Sequence, residues 1–480
     1  MLFNSFEFLL FLPLVFCGYW FLFRPLKLQN LFIVVVSYLF YGWWDWRFLF
    51  LIFLTTVLCF TSGYLLDKYS SIKLRRLICG MNIFVNIAIL CYFKYFNFFS
   101  ENIKILLSQF GYELDWITLD VLLPVGISFY TFQAISYPID VYRRQLPATR
   151  DFIAFAAFIS FFPQLVAGPI ERSTNLLPQF LNIRTFRYDV AVNGLRQMLW
   201  GFFKKIVIAD NCAMMANMIF KSYADCSAPM LWLGAFLFTF QIYGDFSGYS
   251  DIAIGTARLF GINLNMNFHF PYFSRDISEF WRRWHISLNS WFRDYIYIPL
   301  GGSRCSKIKI VRNTMIIFLL SGLWHGADWT FVIWGAYHGI LFLPIILYKR
   351  NKREYKNTSA PSAKNIFSIL MTFVLVMIGW IIFRANNIDE AVGYLNACFT
   401  HFGPTENYIN VLYGNTTTLL STLLMIFMVM AFEWTQRYKI FGLQLVENKP
   451  LIVRWGTYLV VCFCILIFAG QQEQFIYFQF

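Results

Sequence analysis

The sequence predicts an all-helical protein that crosses a membrane many times. Hydrophobic residues make up 58% of the 480-residue chain and charged residues only 14%, whereas a soluble globule carries about 25% charged residues. Apolar runs of about 20 residues, the length that spans a bilayer as a helix, recur from one end of the chain to the other. Helices satisfy their own backbone hydrogen bonds in hydrocarbon. We therefore expect a bundle of roughly 11–14 membrane helices, some of them broken or re-entrant.

The candidate spans follow one another closely. They cover residues 2–23, 30–44, 48–66, 77–96, 119–139, 151–169, 193–221, 229–245, 247–262, 313–326, 328–348, 365–384, 415–433 and 452–470. The first run has no basic residues before it, contains Glu7 and lacks a small-residue cleavage site, so we expect a retained span. We interpret the whole chain as a single domain, with its most unusual stretches between residues 160 and 340 and an external tail at 471–480.

The charges of the loops predict the orientation. Basic residues concentrate in the first, third and fifth loops and in the linker 349–364, and acidic ones in the fourth loop. Basic loops remain in the cytoplasm, which puts both termini outside. The net charge of +13 would suggest nucleic acid as a partner of a soluble protein. Here basic loops beside anionic membrane lipid explain most of it, so we expect lipid contact and no nucleic acid.

Ten cysteines lie mostly in apolar runs, without His partners at metal-ligand spacing and without a disulfide framework. We expect no metal site.

Two polar interruptions fall within the apolar pattern. Residues 157–180 contain three prolines and one glycine, which predicts broken backbone covered by protein or by a water-filled cavity. Residues 241–251 place Asp245 and Asp251 between two apolar runs, where a loop is the simpler interpretation for Asp251.

The segment 272–312 predicts an amphipathic helix with a functional face. Its stretch WRRWHISLN puts Trp281, Trp284, His285 and Leu288 at helical spacing on one face. One interpretation is an interfacial helix, with Arg282 and Arg283 extending to the membrane surface. The alternative is a funnel for a polyanionic ligand, since phosphates favour arginine. In that case His285 points inward and Asn289, one turn later, fixes its tautomer.

The chain is organised around a predicted helical hairpin at 313–348. Its first arm ends in Trp324, His325 and Gly326, Asp328 follows at the bend, and His338 lies among aromatics on the second arm. An ionisable side chain at membrane depth is costly and marks a functional site by default. A histidine acts in proton transfer while neutral near pH 7. The alternative is a buried structural histidine, and this stretch alone leaves the two open.

The tail QQEQFIYFQF joins a polar run to an aromatic end. A terminus packed at the membrane surface is one interpretation. A tail that folds back into the outer mouth of the bundle is the other, and it would place the hydroxyl of Tyr477 near the core.

Three stretches together resemble the membrane-bound O-acyltransferase (MBOAT) family, in particular its bacterial branch that acetylates alginate and peptidoglycan. They are FFPQLVAGPIERSTNLLPQF, WRRWHISLNSWFRDYIYIPLGG and SGLWHGADWTFVIWGAYHG, in this order. The resemblance implies a helical bundle around a tunnel that opens to both sides of the membrane. The two polar residues that characterise the family fall on His285 and His325. The ending FIYFQF also resembles the C-terminal motif of a small partner protein in teichoic acid D-alanylation, which makes Tyr477 a candidate acyl relay.

The resemblance implies O-acetylation of a cell-envelope polysaccharide in the bacterial inner membrane. Acetyl-CoA would be the cytosolic donor, with no bound cofactor, and the external partner would be an acetyltransferase of the SGNH (serine-hydrolase) fold. His325 would be the general base and His285 would polarise the acyl carbonyl. We expect the substrate-binding residues to be Asn289, Arg282, Arg283, Trp324, Trp284, Asp328 and His338. Three alternatives stay open: D-alanyl transfer, a flippase or transporter of lipid-linked sugar, and a non-catalytic assembly subunit.

Overall fold

The computed structural model describes residues 1–112, 118–119, 121–348, 362–403, 416–470 and 473–476. Within these ranges the chain is helical and contains no β-strand, which confirms the predicted all-α class. The chain divides into two compact units. Unit 1 comprises Met1–Leu195 and Ala253–Asn265, and unit 2 comprises Arg196–Ile252 and Met266–Phe480.

Unit 1 is built from the N-terminal helices. Their bounds are Phe6–Cys17 with a π-helical extension Gly18–Leu22, Leu26–Gly42, Leu49–Lys68, Ile72–Leu90, Phe96–Gln109, Ile127–Tyr142, Phe152–Ser160, Phe162–Leu165, Ser173–Leu181 and the first part of Tyr188–Phe202. The helices Leu49–Lys68 and Ile72–Leu90 both pack on Ile127–Tyr142.

The basic loops of unit 1 lie at one end of the unit. Arg75, in the first turn of the helix Ile72–Leu90, donates to the backbone carbonyls of Leu66 and Tyr142, which brings the loops after residues 68 and 142 together. Ser173 donates to Asp140 at 2.6 Å, and the same short helix ends beside the beginning of Leu26–Gly42. We call this the basic end of unit 1. Its existence agrees with the sequence-based assignment of these loops to one side.

The predicted span over 151–169 is wrong. Its helix Phe152–Ser160 ends after nine residues, and the backbone N–H of Phe162 donates to the hydroxyl of Ser37 at 3.1 Å. The chain then turns at Gly168, where a Cβ would lie 2.4 Å from the Cα of Gln164. Beyond this turn, Ser173 lies beside Asp140 at the basic end. This confirms the broken backbone predicted for residues 157–180, whose prolines each remove a backbone donor.

Unit 2 continues the helix Tyr188–Phe202 as a seven-residue π-helix, Phe203–Ala209. Its further helices are Asp210–Lys221, Ala228–Leu259 up to the boundary with unit 1, Ile277–Arg283, Ile286–Phe292 with a π-helical turn Arg293–Tyr297, Lys307–His325, Trp329–Leu347, Ala363–Arg384, Ile388–Thr400, Thr416–Thr435 and Leu451–Phe468. A 3₁₀ segment, Gly442–Asn448, precedes the last of them. Helix Trp329–Leu347 packs against both Lys307–His325 and Ala363–Arg384.

One helix, Ala228–Leu259, replaces the two predicted spans at 229–245 and 247–262. It has 32 residues, so at about 1.5 Å per residue it is longer than the hydrocarbon core is thick. The loop interpretation of Asp251 is therefore wrong. The helix continues without a break through Asp245 and Asp251. Both carboxylates are paired with lysines, as described for the site below.

Six described helices are long and apolar enough to cross a membrane, which confirms a multi-pass protein. They are Trp46–Lys68, Ile72–Gln109, Trp329–Leu347, Ala363–Arg384, Thr416–Thr435 and Leu451–Phe468. Two shorter apolar helices, Phe6–Leu22 and Leu26–Gly42, accompany them. Several of the other predicted spans are short, polar or interrupted by π-helical turns.

The helices Lys307–His325 and Trp329–Leu347 form the predicted hairpin, and glycines bring their backbones into contact. A Cβ on Gly322 would lie 2.2 Å from the carbonyl oxygen of Phe331, and a Cβ on Gly335 would lie 2.3 Å from that of Phe318. Small residues at such positions let membrane helices approach closely.

We predict that Gly335→Ala destabilises the protein, because the added methyl collides with backbone that cannot rotate away. Overpacking of this kind costs about 1–3 kcal/mol. The matched control is Gly456→Ala, on the helix Leu451–Phe468, where a Cβ would meet nothing within 4 Å and alanine favours the helix by up to about 1 kcal/mol. Thermal unfolding of the purified protein in detergent measures both. Equal unfolding temperatures for the two variants would contradict the close contact.

Candidate functional site

The hairpin places His325 at the last position of its first helix. The side chain is buried, with 3% of its surface exposed. Its ring centroid lies 5.1 Å from that of Trp334 and 5.4 Å from that of Phe383. Trp324, the preceding residue, is also buried and lies 4.9 Å from the His325 ring. The imidazole is therefore enclosed by aromatic rings of unit 2.

His285 lies beside this group. Its ring centroid is 6.2 Å from that of His325 and 5.5 Å from that of Trp324, and Phe246 covers it at 4.7 Å. The side chain is 1% exposed. The structure thus brings together the two histidines and one tryptophan that the sequence selected, although they are 40 residues apart in the chain.

The single amphipathic helix predicted through His285 is wrong. The helix Ile277–Arg283 ends before it, Ile286–Phe292 begins after it, and His285 has the left-handed backbone conformation with φ 44° and ψ 54°. Such a conformation costs a non-glycine residue roughly 1–3 kcal/mol. Trp281 and Leu288 therefore do not belong to one helical face with His285.

Hydrogen bonds from both sides hold this strained turn. The backbone N–H of Ile286 donates to the carbonyl of Asn267 at 2.9 Å, and the hydroxyl of Ser287 donates to the Asn267 side chain at 2.9 Å. Asn289 donates to the carbonyls of Trp281 and Trp284 at 2.7 and 2.6 Å. Asn289 was expected to fix the tautomer of His285, but its amide instead binds the carbonyls that the helix end leaves open. It is a positioning residue for the turn.

His338 and Trp284 fill the aromatic layer beside the histidine pair. His338 is fully buried, and its ring lies 5.0 Å from both Trp281 and Trp334. Neither ring nitrogen has a hydrogen-bond partner among the described residues. A Cβ on Gly379 would lie 2.8 Å from its Nε2 atom, so the glycine makes room for it. Trp284 is 1% exposed and packs 4.9 Å from Trp380.

The three remaining predicted site residues have local partners. Asp328 caps the helix Trp329–Leu347 by accepting from the N–H of Thr330 at 2.8 Å. Arg283 is paired with the buried carboxylate of Glu279 at 2.6 Å. Arg282 is exposed and donates to Ser278 at 2.7 Å. Of the two arginines, only Arg282 thus presents an open positive charge at the surface.

Unit 2 also contains a buried network of ion pairs, of which only Asp245 and Asp251 were singled out from the sequence. Lys204 pairs with Asp251 at 2.6 Å, and Lys205 pairs with Asp245 at 2.8 Å and with Asp210 at 2.7 Å. Both lysines belong to the π-helix, a distortion that often marks functional sites. The available signal was their place inside a predicted span, where ionisable residues are rare.

The network of buried polar groups extends to a third helix, Thr416–Thr435. Tyr243 donates to the carboxylate of Glu433, which is 1% exposed. The ammonium group of Lys204 lies 5.5 Å from the Tyr243 ring centroid. Glu433 stands at the end of the predicted span 415–433 and could have been found by the same rule.

The C-terminal tail folds back into unit 2. The backbone N–H of Ile476 donates to Asp245 at 2.7 Å, and Lys205 donates to the carbonyl of Glu473 at 3.1 Å. Phe475 is 3% exposed and lies 6.1 Å from Phe246, the ring that covers His285. Of the two interpretations of the tail, the described part follows the second, a return into the core. Tyr477 lies outside the described residues.

The arrangement suits proton transfer. Two imidazoles lie largely buried among aromatic rings, where electrostatic interactions are stronger than in water. No group of three or more His, Cys, Asp or Glu side chains with metal-ligand geometry occurs among the described residues, and all ten cysteines are free thiols.

Comparison with known proteins gives a consistent result. The model of the MBOAT, membrane-bound O-acyltransferase family, matches residues 39–385. The probable alginate O-acetylase AlgI of Azotobacter vinelandii is 41% identical over 94% of this chain and 87% of its own length. The peptidoglycan O-acetyltransferase of Helicobacter pylori is 32% identical over 100% of this chain and 98% of its own. The teichoic acid D-alanyltransferase of Bacillus subtilis is 29% identical over 55% of this chain and 69% of its own.

We predict that Asn289→Ala disturbs the turn at His285, because two half-buried carbonyls lose their donor. Each unsatisfied group costs about 1–3 kcal/mol. The control is Ser290→Ala, next to it in the same helix, which removes one bond to the carbonyl of Ser287. Thermal unfolding should show a clear loss for Asn289→Ala and little change for the control. Identical curves would mean that the turn does not depend on this amide.

Proposed function

Because the chain belongs to the membrane-bound O-acyltransferase family, we propose that it transfers acetyl groups from acetyl-CoA toward hydroxyl groups of a cell-envelope polysaccharide. The support is the identity to the alginate and peptidoglycan enzymes, 41% and 32%, over nearly the whole length of the chain. The D-alanyltransferase is less similar and covers a smaller part of the chain. We therefore favour acetyl over D-alanyl transfer.

One observation carries the proposal, namely the pair of buried imidazoles. The ring centroids of His285 and His325 are 6.2 Å apart. Because the rings are this close, one substrate group beside the pair would be within reach of both imidazoles for proton transfer and hydrogen bonding. The left-handed backbone of His285 adds support, because strained residues cluster at active sites.

The proposed chemistry uses His325 as the general base. The oxygen of the acceptor hydroxyl attacks the carbonyl carbon of the thioester, and the imidazole takes the hydroxyl proton. The carbon–sulfur bond then breaks, and the proton passes to the departing thiolate, which leaves as the thiol of CoA. General-base help of this kind contributes about 10²–10⁴-fold to the rate. His285 would polarise the thioester carbonyl, and Trp324 packs against both rings.

The donor and acceptor must reach this pair from opposite sides. Acetyl-CoA is charged and cytosolic, whereas the polysaccharide lies outside the cell. We propose that the protein lies in the bacterial inner membrane, with the basic end of unit 1 in the cytoplasm and both termini outside, as the positive-inside rule requires. A tunnel to His325 from each side is part of the proposal. Arg282 would attract the CoA phosphates at the cytosolic mouth.

We propose the C-terminal tail as an acyl relay. Phe475 contacts Phe246, and Phe246 contacts His285, so the tail approaches the histidine pair through two ring contacts. Tyr477 follows Ile476 directly, and one residue of extended chain spans only about 3.3–3.6 Å. Its phenol oxygen would accept the acetyl group and pass it to an extracytoplasmic acetyltransferase partner of the SGNH fold. The reaction then has two covalent steps.

We predict that His325→Ala lowers acetyl transfer by about 10²–10⁴-fold, since no base takes the acceptor proton. The control is His401→Ala, an exposed histidine of unit 2. Transfer is measured with radiolabelled acetyl-CoA on purified protein, and elution on size exclusion verifies folding. Near-normal transfer by a folded His325→Ala protein would remove the base assignment.

We predict that Tyr477→Phe abolishes the covalent acetyl adduct, because the ring is kept and the nucleophilic oxygen is lost. Mass spectrometry of the C-terminal peptide after incubation with acetyl-CoA should show an acetyl group on the wild-type peptide only. Tyr348→Phe, at an exposed position, is the control and should keep the adduct. Full transfer to polysaccharide by Tyr477→Phe would exclude the relay while leaving the acyltransferase proposal intact.

A further inference from the structure

Unit 1 contains a cleft of about 320 Å³ that the proposed reaction does not use. It lies between the segment 178–190 and the turn 258–263, and Trp20 forms one wall. Trp20 donates to the carbonyl of Leu259 at 2.9 Å, and the backbone N–H of Asn263 donates to the Gln179 side chain at 2.8 Å. These hydrogen bonds hold the walls of the cleft together, so its shape is fixed by the fold of unit 1. Its volume is at the lower end of small-molecule sites, about 300–1,000 Å³.

The lining is strongly basic. It includes Arg184, Arg187 and Arg258 and no Asp or Glu. Arg184 is 8% exposed, and its guanidinium donates to the neutral side chain of Asn30 at 2.6 Å. No carboxylate among the described residues forms an ion pair with it. Its charge, held in a largely buried position, therefore acts on whatever enters the cleft.

Polar side chains accompany the arginines in the lining. They are the amides of Asn182 and Gln179, which also donate to backbone carbonyls of unit 1, and the hydroxyl of Thr185. Arg187 is exposed and pairs with Asp189, which is itself exposed. Exposed ion pairs of this kind are weak, about 0–1 kcal/mol, so Arg187 exchanges partners readily.

The cleft opens at the basic end of unit 1, which the orientation proposed above puts at the cytoplasmic surface of the membrane. Asn30, the partner of Arg184, stands near the beginning of the helix Leu26–Gly42. Apolar side chains around the cleft are exposed, with Ile183 at 83% and Phe186 at 48%. Trp20 is a residue type that is enriched at membrane interfaces. Arginines among exposed apolar side chains suit a ligand with a phosphate head and an apolar tail.

We propose that this cleft binds the phosphate headgroup of an anionic phospholipid from the adjacent leaflet. The guanidinium groups of Arg187 and Arg258 face the phosphate, and Ile183 and Phe186 contact the first part of the acyl chains. Basic pockets at helix ends are the usual sites for such headgroups. The phosphates of CoA share this chemistry, but a soluble nucleotide gives no reason for the exposed apolar rim.

The test compares lipid retention by the purified full-length protein. Native mass spectrometry counts phosphatidylglycerol and phosphatidylcholine molecules that stay bound after delipidation and reconstitution with equal amounts of both. We expect the wild type to retain phosphatidylglycerol preferentially. The double variant Arg187→Gln/Arg258→Gln should lose the preference, by about fivefold for each charge removed. Arg184 is left intact because its hydrogen bonds hold Asn30 in place.

The control variant is Lys73→Gln/Arg76→Gln. It removes the same charge from exposed positions at the same end of unit 1, outside the lining, and should keep the preference. Equal retention by the two double variants would overturn the lipid site. A second measurement titrates CoA by equilibrium dialysis. If the cleft variant loses CoA binding and keeps phosphatidylglycerol, the cleft serves the donor and the proposal fails.

Discussion

The contact of two helix backbones at Gly322 and Gly335 fixes the centre of unit 2. Because no side chain separates these helices, the first arm of the hairpin ends with His325 against the second arm, among Trp334 and Phe383. The ring of Phe331 occupies the space that a Cβ on Gly326 would need. A larger residue at any of these glycines would move the histidine. The position of His325 therefore depends mainly on the close packing at these glycines.

Buried charge imposes the second constraint. Lys204, Lys205 and their three aspartates are costly in an apolar bundle unless each is paired, and every one of these pairs is closed within unit 2. The tail uses the same groups, since Asp245 accepts from the backbone of Ile476. Asp245 and Lys205 thus supply hydrogen-bond partners for the polar backbone of the tail. These bonds explain how a polar backbone segment enters the core.

Much of this arrangement could be predicted from the sequence, and the failures have physical causes. The helical class and the hairpin followed from apolar run lengths. His325 followed from an ionisable residue within such a run, and His285 from a predicted amphipathic face and the family resemblance. Periodicity could not detect the turn at His285, because hydrogen bonds from Asn267 and Asn289 impose a conformation that the local residues disfavour. Nor could it show that lysines one helix away keep Ala228–Leu259 continuous through Asp245 and Asp251.

The central claim is that the chain breaks the thioester of acetyl-CoA and does not merely move a solute. The most direct measurement incubates the purified protein, reconstituted in vesicles, with acetyl-CoA and follows the free thiol. The account predicts that thiol is released in an amount equal to the acetyl found as ester on the protein or on added polysaccharide. Passage of a lipid-linked sugar or an anion across the vesicle membrane, with acetyl-CoA left intact, would contradict it.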